Sequence, residues 1–157
     1  MSSVISSVDR VRAALQGRGL SIQVTEFPDS TRTAAEAAAA IGTAVAQIVK
    51  SLLFLAGDRP VLALVSGANR LDPAALEGLT GAACRKADAE AVRRYTGYAI
   101  GGVPPSGFPQ PIETYVDRDL LQYAQVWAAA GTPHHVFPIS PAQLIALTGG
   151  AIADLKA

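Results

Sequence analysis

The sequence is poor in the residues that most enzyme chemistries need. It has one cysteine, Cys84, and two histidines, His134 and His135, side by side. A single cysteine excludes an internal disulfide and a cysteine-based zinc centre. Adjacent histidines on an extended chain point to opposite faces, so they cannot both ligate one metal. No H-E-x-x-H, no G-x-x-x-x-G-K-[ST] phosphate loop, no G-x-G-x-x-G turn and no G-x-S-x-G elbow occurs, and no carboxylates cluster in pairs. Those absences exclude the usual metalloenzyme, kinase and serine hydrolase patterns, and no metal or cofactor is expected.

Charge of one sign is also missing. Lys+Arg and Asp+Glu are both 13, for a formal net charge of zero. That gives no support to a generic nucleic-acid binder held by a basic field, although local contact with nucleic acid stays open. No apolar run approaches the roughly 20 residues of a membrane helix. The opening MSSVISSVDRVRAALQ lacks the charged start and continuous apolar core of a signal peptide. A soluble, cytoplasmic protein is expected, without membrane attachment.

What is present is a chain of 157 residues, 50% hydrophobic and 17% charged, which suits one globular domain spanning 1–157 with a genuine core. VDRVRAALQGRG carries Val8, Val11 and Leu15 at helical spacing with Gly17 and Gly19 as stops. SIQVTEF (21–27) alternates like a strand. Thr33 and Glu36 form a T-x-x-E capping pattern ahead of an alanine-rich helix that Gly42 closes. Two apolar strands, 47–56 and 60–66, flank AGDRP and predict an antiparallel hairpin. Helices are predicted over 72–79, 87–97 and 140–150, and strands over 112–117, 125–131 and 134–139. Strands and helices mix without strict βαβ alternation. The expected fold is α/β (α+β): one mixed, curled, barrel-like sheet with helices packed outside.

Two stretches stand out. IVKSLLF (48–54) reads as a strand apolar on both faces, with Lys50 in the middle. Burying an unpaired charge costs several kcal/mol, roughly, even after relaxation. Lys50 therefore either sits at a strand end and snorkels to water, or lines a pocket where a cation is wanted. Ser51 beside it suggests a Ser–Lys dyad, but strand neighbours face opposite ways. The second stretch, YAIGGVPPSGFPQP (98–111), holds four of the ten prolines and three of the fourteen glycines. Such a loop is constrained, and it can present main-chain groups in fixed directions or serve as a stiff surface connection.

The strand QIVKSLLF, the exit VSGANRLD, the run RRYTGYAIGGVPPSG and the late segment AAAGTPHHVF, in that order, resemble the YbaK/prolyl-tRNA synthetase-associated editing domain family from about residue 20 to 155. The resemblance implies that family's fold and a free-standing, trans-acting aminoacyl-tRNA deacylase (a carboxylic ester hydrolase). Its partners would be the acceptor end of an aminoacyl-tRNA and an aminoacyl-tRNA synthetase. Lys50 matches the family's required strand lysine. Gly101, Gly102, Val103, Pro104 and Pro105 match the G-x-x-x-P loop that shapes the pocket. Further candidate walls are Leu52 and Phe54 beside the lysine, Ser66, and Ala130, Gly131 and Thr132, with hydroxyls added by Thr31 and Thr33. Where some relatives carry a serine followed by two glycines and then an acidic residue, this chain reads AAAGTPHHV. His134 or His135 could meet a tRNA end but reads first as an exposed strand histidine with no task, while Arg85, Lys86, Arg93 and Arg94 as tRNA-facing cations are equally read as a solvated helix face. The expected substrate is a mischarged small residue such as alanine, serine or threonine. The alternative is a non-catalytic module of the same fold that binds tRNA or a synthetase.

Overall fold

A computed structural model describes residues 6–157. The leader reading of the N-terminus falls partly on residues 1–5, outside the described residues. In chain order the elements are α1 (Ser7–Gln16), β1 (Thr25–Glu26), α2 (Ala34–Ile41), β2 (Val49–Ala56), β3 (Arg59–Ser66), α3 (Pro73–Thr80), β4 (Cys84–Lys86), α4 (Ala89–Thr96), β5 (Glu113–Asp117), β6 (Val126–Ala129), β7 (His135–Ile139), α5 (Pro141–Thr148) and β8 (Ala151–Ala153). Short 3₁₀ turns cover Val45–Gln47 and Arg118–Gln122.

The helices begin where side-chain caps satisfy their first N–H groups. Thr33 Oγ1 accepts from Glu36 N, Asp88 from Ala91 N, and Ser140 exchanges a full capping box with Gln143. Two-residue spacing of apolar side chains builds the central hairpin, in which β2 and β3 pair antiparallel with Lys50 opposite Val65. β5 joins β3 in parallel, β8 joins β5 in parallel, and β4 closes the other edge, giving the order β4-β2-β3-β5-β8. A three-stranded sheet, β1-β7-β6, stands beside it, linked by a parallel bridge between Ile48 and Trp127. The result is mixed α/β as expected, but in two sheets and without a closed barrel.

Both faces of the hairpin are covered. Leu53, Leu55, Leu62 and Leu64 pack with Val11 and Leu15 of α1 and with Phe137 and Leu144. Phe54, Val61, Ala63 and Val65 pack on the other side with Leu76 of α3 and Leu155. Each fully buried side chain of this size is worth about 1.5–3 kcal/mol against exposure.

Three elements differ from the sequence reading. The strand expected over 21–27 is reduced to Thr25–Glu26, because Leu20, Ile22 and Val24 satisfy their alternation by packing on the core instead of pairing. β4 and β8 were not foreseen; three residues each are too few to show a period.

Candidate active site

A cleft of about 270 Å³ opens where the start of β2, the N-terminus of α2, the 100–103 loop and the β6–β7 sheet meet. Lys50, Ser51 and Leu52 line it from β2, Thr31 to Ala34 from the approach to α2, Ile100, Gly101 and Val103 from the loop, and Trp127 from β6. Its wall is mostly apolar, with Lys50 and Arg32 as the charged members.

Lys50 is half-buried, and its ammonium donates to the main-chain carbonyl of Asn69 at 2.5 Å. Burial pushes its pKa below the ordinary lysine value, and the nearby Asp117 carboxylate partly opposes that. Asn69 is held in turn: its side-chain amide donates to Asp117 Oδ2 at 2.9 Å and to Asp119 Oδ2 at 2.8 Å. Asp117 is only 1% exposed, yet it also accepts from Ser66 N and Asp119 N. A buried carboxylate needs such hydrogen-bond partners to offset its lost hydration. Asp119 carries the chain to the surface through Lys156, 3.2 Å away, and the bonds from Asn69 and Lys156 hold its carboxyl below the usual range. Lys50 is therefore fixed by a neutral carbonyl, with the carboxylates one residue removed.

The loop gains its position from its glycines. Gly101 has φ 89°, and a Cβ there would lie 2.6 Å from Arg32 Cγ. A Cβ on Gly102 would lie 2.8 Å from both N and Cα of Thr132. Only bare backbone can press that closely on Arg32 at one residue and on the Gly131–Thr132 main chain at the next. Val103, Pro104 and Pro105 are buried behind them. Val103 reaches the cleft, whereas Pro105 lines a separate small cavity with Arg18 and Phe108.

Of the residues singled out in the sequence, Lys50, Leu52, Gly101, Val103, Thr31 and Thr33 come together around the cleft. Phe54 shares a face of β2 with Lys50 but is 6% exposed, in the core with Val61 and Leu76. Ser66 donates its hydroxyl to Ala46 O at 2.7 Å and its N–H to Asp117, so it pins the network behind Lys50. Gly131 lies against the Ser7 carbonyl of α1, where a Cβ would be 2.8 Å away. Thr132 Oγ1 bonds His135 Nδ1 and opens onto a shallower pocket with Asp9 and Glu26. Gly102, Gly131 and Thr132 thus form a packed layer supporting the loop from behind. His134 Nδ1 lies 3.3 Å from the Phe27 carbonyl. Arg85, Lys86, Arg93 and Arg94 are exposed, with Arg85 donating to Gly57 O and Arg94 over the Tyr95 ring. Among the described residues, no group of three His, Cys, Asp or Glu side chains is placed to hold a metal, and no helix is long and apolar enough to cross a membrane.

The sequence reading assigned no role to Asn69, Asp117, Asp119, Arg32 or Trp127. Asn69 lies within VSGANRLD and Asp117 ends IETYVD, where each reads as an ordinary strand-exit residue. A carboxylate next to an apolar strand was the available signal.

Known proteins share this fold. Residues 28–147 match the family model described as the aminoacyl-tRNA editing domain. A solved structure described as that of a candidate trans-editing enzyme for prolyl-tRNA synthetase superposes with a TM-score of 0.93 at 51% identity, covering 99% of each chain. The uncharacterised protein YwhH of Bacillus subtilis (strain 168) is 33% identical over 122 residues, 77% of this chain and 78% of that protein. The proline–tRNA ligase of Nitratidesulfovibrio vulgaris (strain DP4) is 35% identical over 89 residues, which are 56% of this chain and 16% of the ligase.

Proposed function

The chain belongs to the aminoacyl-tRNA editing domain family, and on that premise we propose that it is a trans-acting deacylase, a single editing domain that hydrolyses the ester of mischarged tRNA in the cytoplasm. The observation that carries the reading is Lys50: a cation in an apolar cleft whose direct hydrogen bond goes to a neutral carbonyl, with the Asp117 carboxylate acting on it only from behind Asn69. An ester at a tRNA end brings phosphates and a carbonyl oxygen to such a site. Water attacks the ester carbon, the carbonyl oxygen becomes an oxyanion facing the Lys50 ammonium, and the carbon–oxygen bond to the terminal ribose breaks. The ribose oxygen leaves with a proton. A preset donor of this kind stabilises the transition state more than the ground state.

Gly101 and Val103 shape the pocket, with Gly102, Pro104, Pro105, Gly131 and Thr132 keeping that loop in place. Phe54 and Ser66 act through β2 and the Asp117 network. The proposed substrate is a small residue such as alanine, serine or threonine, selected by the room the cleft leaves beside the ester. The acceptor end of tRNA is the ligand, and a synthetase is the docking partner this reading calls for.

A second reading, a non-catalytic binding module, draws on one observation: none of the side chains lining the cleft is a carboxylate or an imidazole. A panel of labelled alanyl-, seryl-, threonyl-, cysteinyl- and prolyl-tRNAs decides between them. Clearance of one or two non-cognate esters well above the buffer rate supports the deacylase. Retention of all five esters by a protein that still binds the tRNAs overturns it.

A further inference from the structure

Arg32 is the second cation of the cleft, and the network behind Lys50 does not involve it. Its backbone is fixed from both sides: Thr31 donates its main-chain N–H and its hydroxyl to the Pro133 carbonyl, and Thr33 Oγ1 caps α2. Its stem is fixed as well. A Cβ on Gly101 would lie 2.6 Å from Arg32 Cγ, 3.3 Å from its Cβ and 3.4 Å from its Cδ, so the methylenes lie against bare loop backbone beside the cleft. Arg32 is nonetheless exposed, and among the described residues its guanidinium has no hydrogen bond and no carboxylate within ion-pair distance. Holding a long side chain in one place costs conformational entropy, and no bond from its head group to the protein offsets that.

The chemistry of the cleft says what such a head group would meet. No carboxylate lines the cleft, and Asp117 acts on Lys50 from behind Asn69. Two cations in one apolar cleft favour an anionic ligand. In an aminoacylated tRNA end the ester sits on a 2′ or 3′ oxygen of the terminal ribose, and the nearest anion is the phosphodiester on the 5′ oxygen of that same ribose. With the ester carbonyl at Lys50, that phosphate is one sugar away. The planar fork of a guanidinium matches two phosphate oxygens at once.

We propose that Arg32 binds the phosphodiester on the 5′ side of the terminal adenosine, anchoring the nucleotide while Lys50 faces the ester. The inference rests on the deacylase reading for the identity of the ligand, and its test separates the two. The probes are non-hydrolysable, amide-linked alanyl-, seryl- and threonyl-adenosines, each with a free 5′-hydroxyl or a 5′-methyl phosphate. Wild type should bind the phosphate forms about tenfold more tightly, the low end for a charge-assisted hydrogen bond at an exposed group, and added salt should shrink that preference. Arg32→Gln should lose the preference and bind the 5′-hydroxyl forms as wild type does. Glutamine keeps Cβ, Cγ and Cδ, so the packing on Gly101 stays and Tm should match wild type. Arg32→Lys should restore part of the preference, because the charge returns without the fork. On mischarged tRNA the loss in Arg32→Gln should fall in KM and spare kcat, since the phosphate is held equally in ground and transition states.

Equal losses on the phosphate and hydroxyl probes overturn the proposal, as does a lowered Tm in Arg32→Gln, which would reveal a structural partner for the guanidinium. Wild type that binds neither form overturns it as well. Wild type that clears mischarged tRNA but shows no phosphate preference keeps the deacylase and removes the role of Arg32. Wild type that clears none of the esters, yet prefers the phosphate probes and loses that preference in Arg32→Gln, removes the deacylase and keeps Arg32.

Discussion

Strand β2 changes character halfway along. From Leu53 to Ala56 every residue is buried, whereas Lys50, Ser51 and Leu52 are only partly so. The two halves share one backbone ladder with β3, so pairing does not distinguish them. What differs is the cover. Over the second half, α1, α3, α4 and β7 close both faces. Over the first half the cover is a loop, the capped end of α2 and a second sheet, and these leave a cleft. The buried half holds the strand in register, so the open half can present a charge at a fixed position without needing to be well packed itself.

This contrast can be broken from either side. Leu53→Ala should cost about 2–5 kcal/mol in chemical denaturation, the usual range for emptying a well-packed site, while kcat/KM per folded molecule stays near wild type. A parallel collapse in activity would mean that the two halves are not separable. Gly102→Ala should act between the halves. Its Cβ would lie 2.8 Å from the Thr132 backbone, and overpacking of that kind costs about 1–3 kcal/mol. The shift should move the Gly101–Val103 segment and lower hydrolysis with a milder loss of stability. Unchanged activity would show that the loop's position does not matter to the cleft.

The smallest effect is a pH dependence. The unfolded chain titrates Lys50 near its ordinary 10.5, and burial lowers that value in the fold. Between the two values the unfolded state binds more protons, so this group's contribution to stability improves as pH rises toward 10.5. Lys50→Met removes the charge, so its stability advantage over wild type should be largest near neutrality and shrink under alkaline conditions. Urea melts of both proteins across that range check the sign, and an advantage that grows with pH would contradict it.

Much of the scaffold can be read from the residues themselves. IVKSLLF and the GDRP turn specify a hairpin covered on both faces, and the Thr33–Glu36 pattern and the helices predicted over 72–79, 87–97 and 140–150 reappear with small shifts at their ends. These are local signals, each complete within a few residues. The network behind Lys50 is not local: Asn69 and Asp117 are 48 residues apart and meet only because β5 pairs with β3. Strand alternation places Phe54 beside Lys50, but it does not say where the cover changes from core to cleft. Gly131 and Thr132 are likewise separated from the cleft by one thickness of backbone, which no periodicity reveals.

On the proposed function, the open half of β2 performs chemistry through Lys50. Single-turnover hydrolysis of the preferred mischarged tRNA by wild type and Lys50→Met, with tRNA affinity measured on the same samples, tests it most directly. Loss of one preset donor to an oxyanion predicts a rate lower by about 10²–10³-fold with only modestly weaker binding. A variant that hydrolyses at the wild-type rate, or whose lost rate is wholly accounted for by lost binding, would contradict the account.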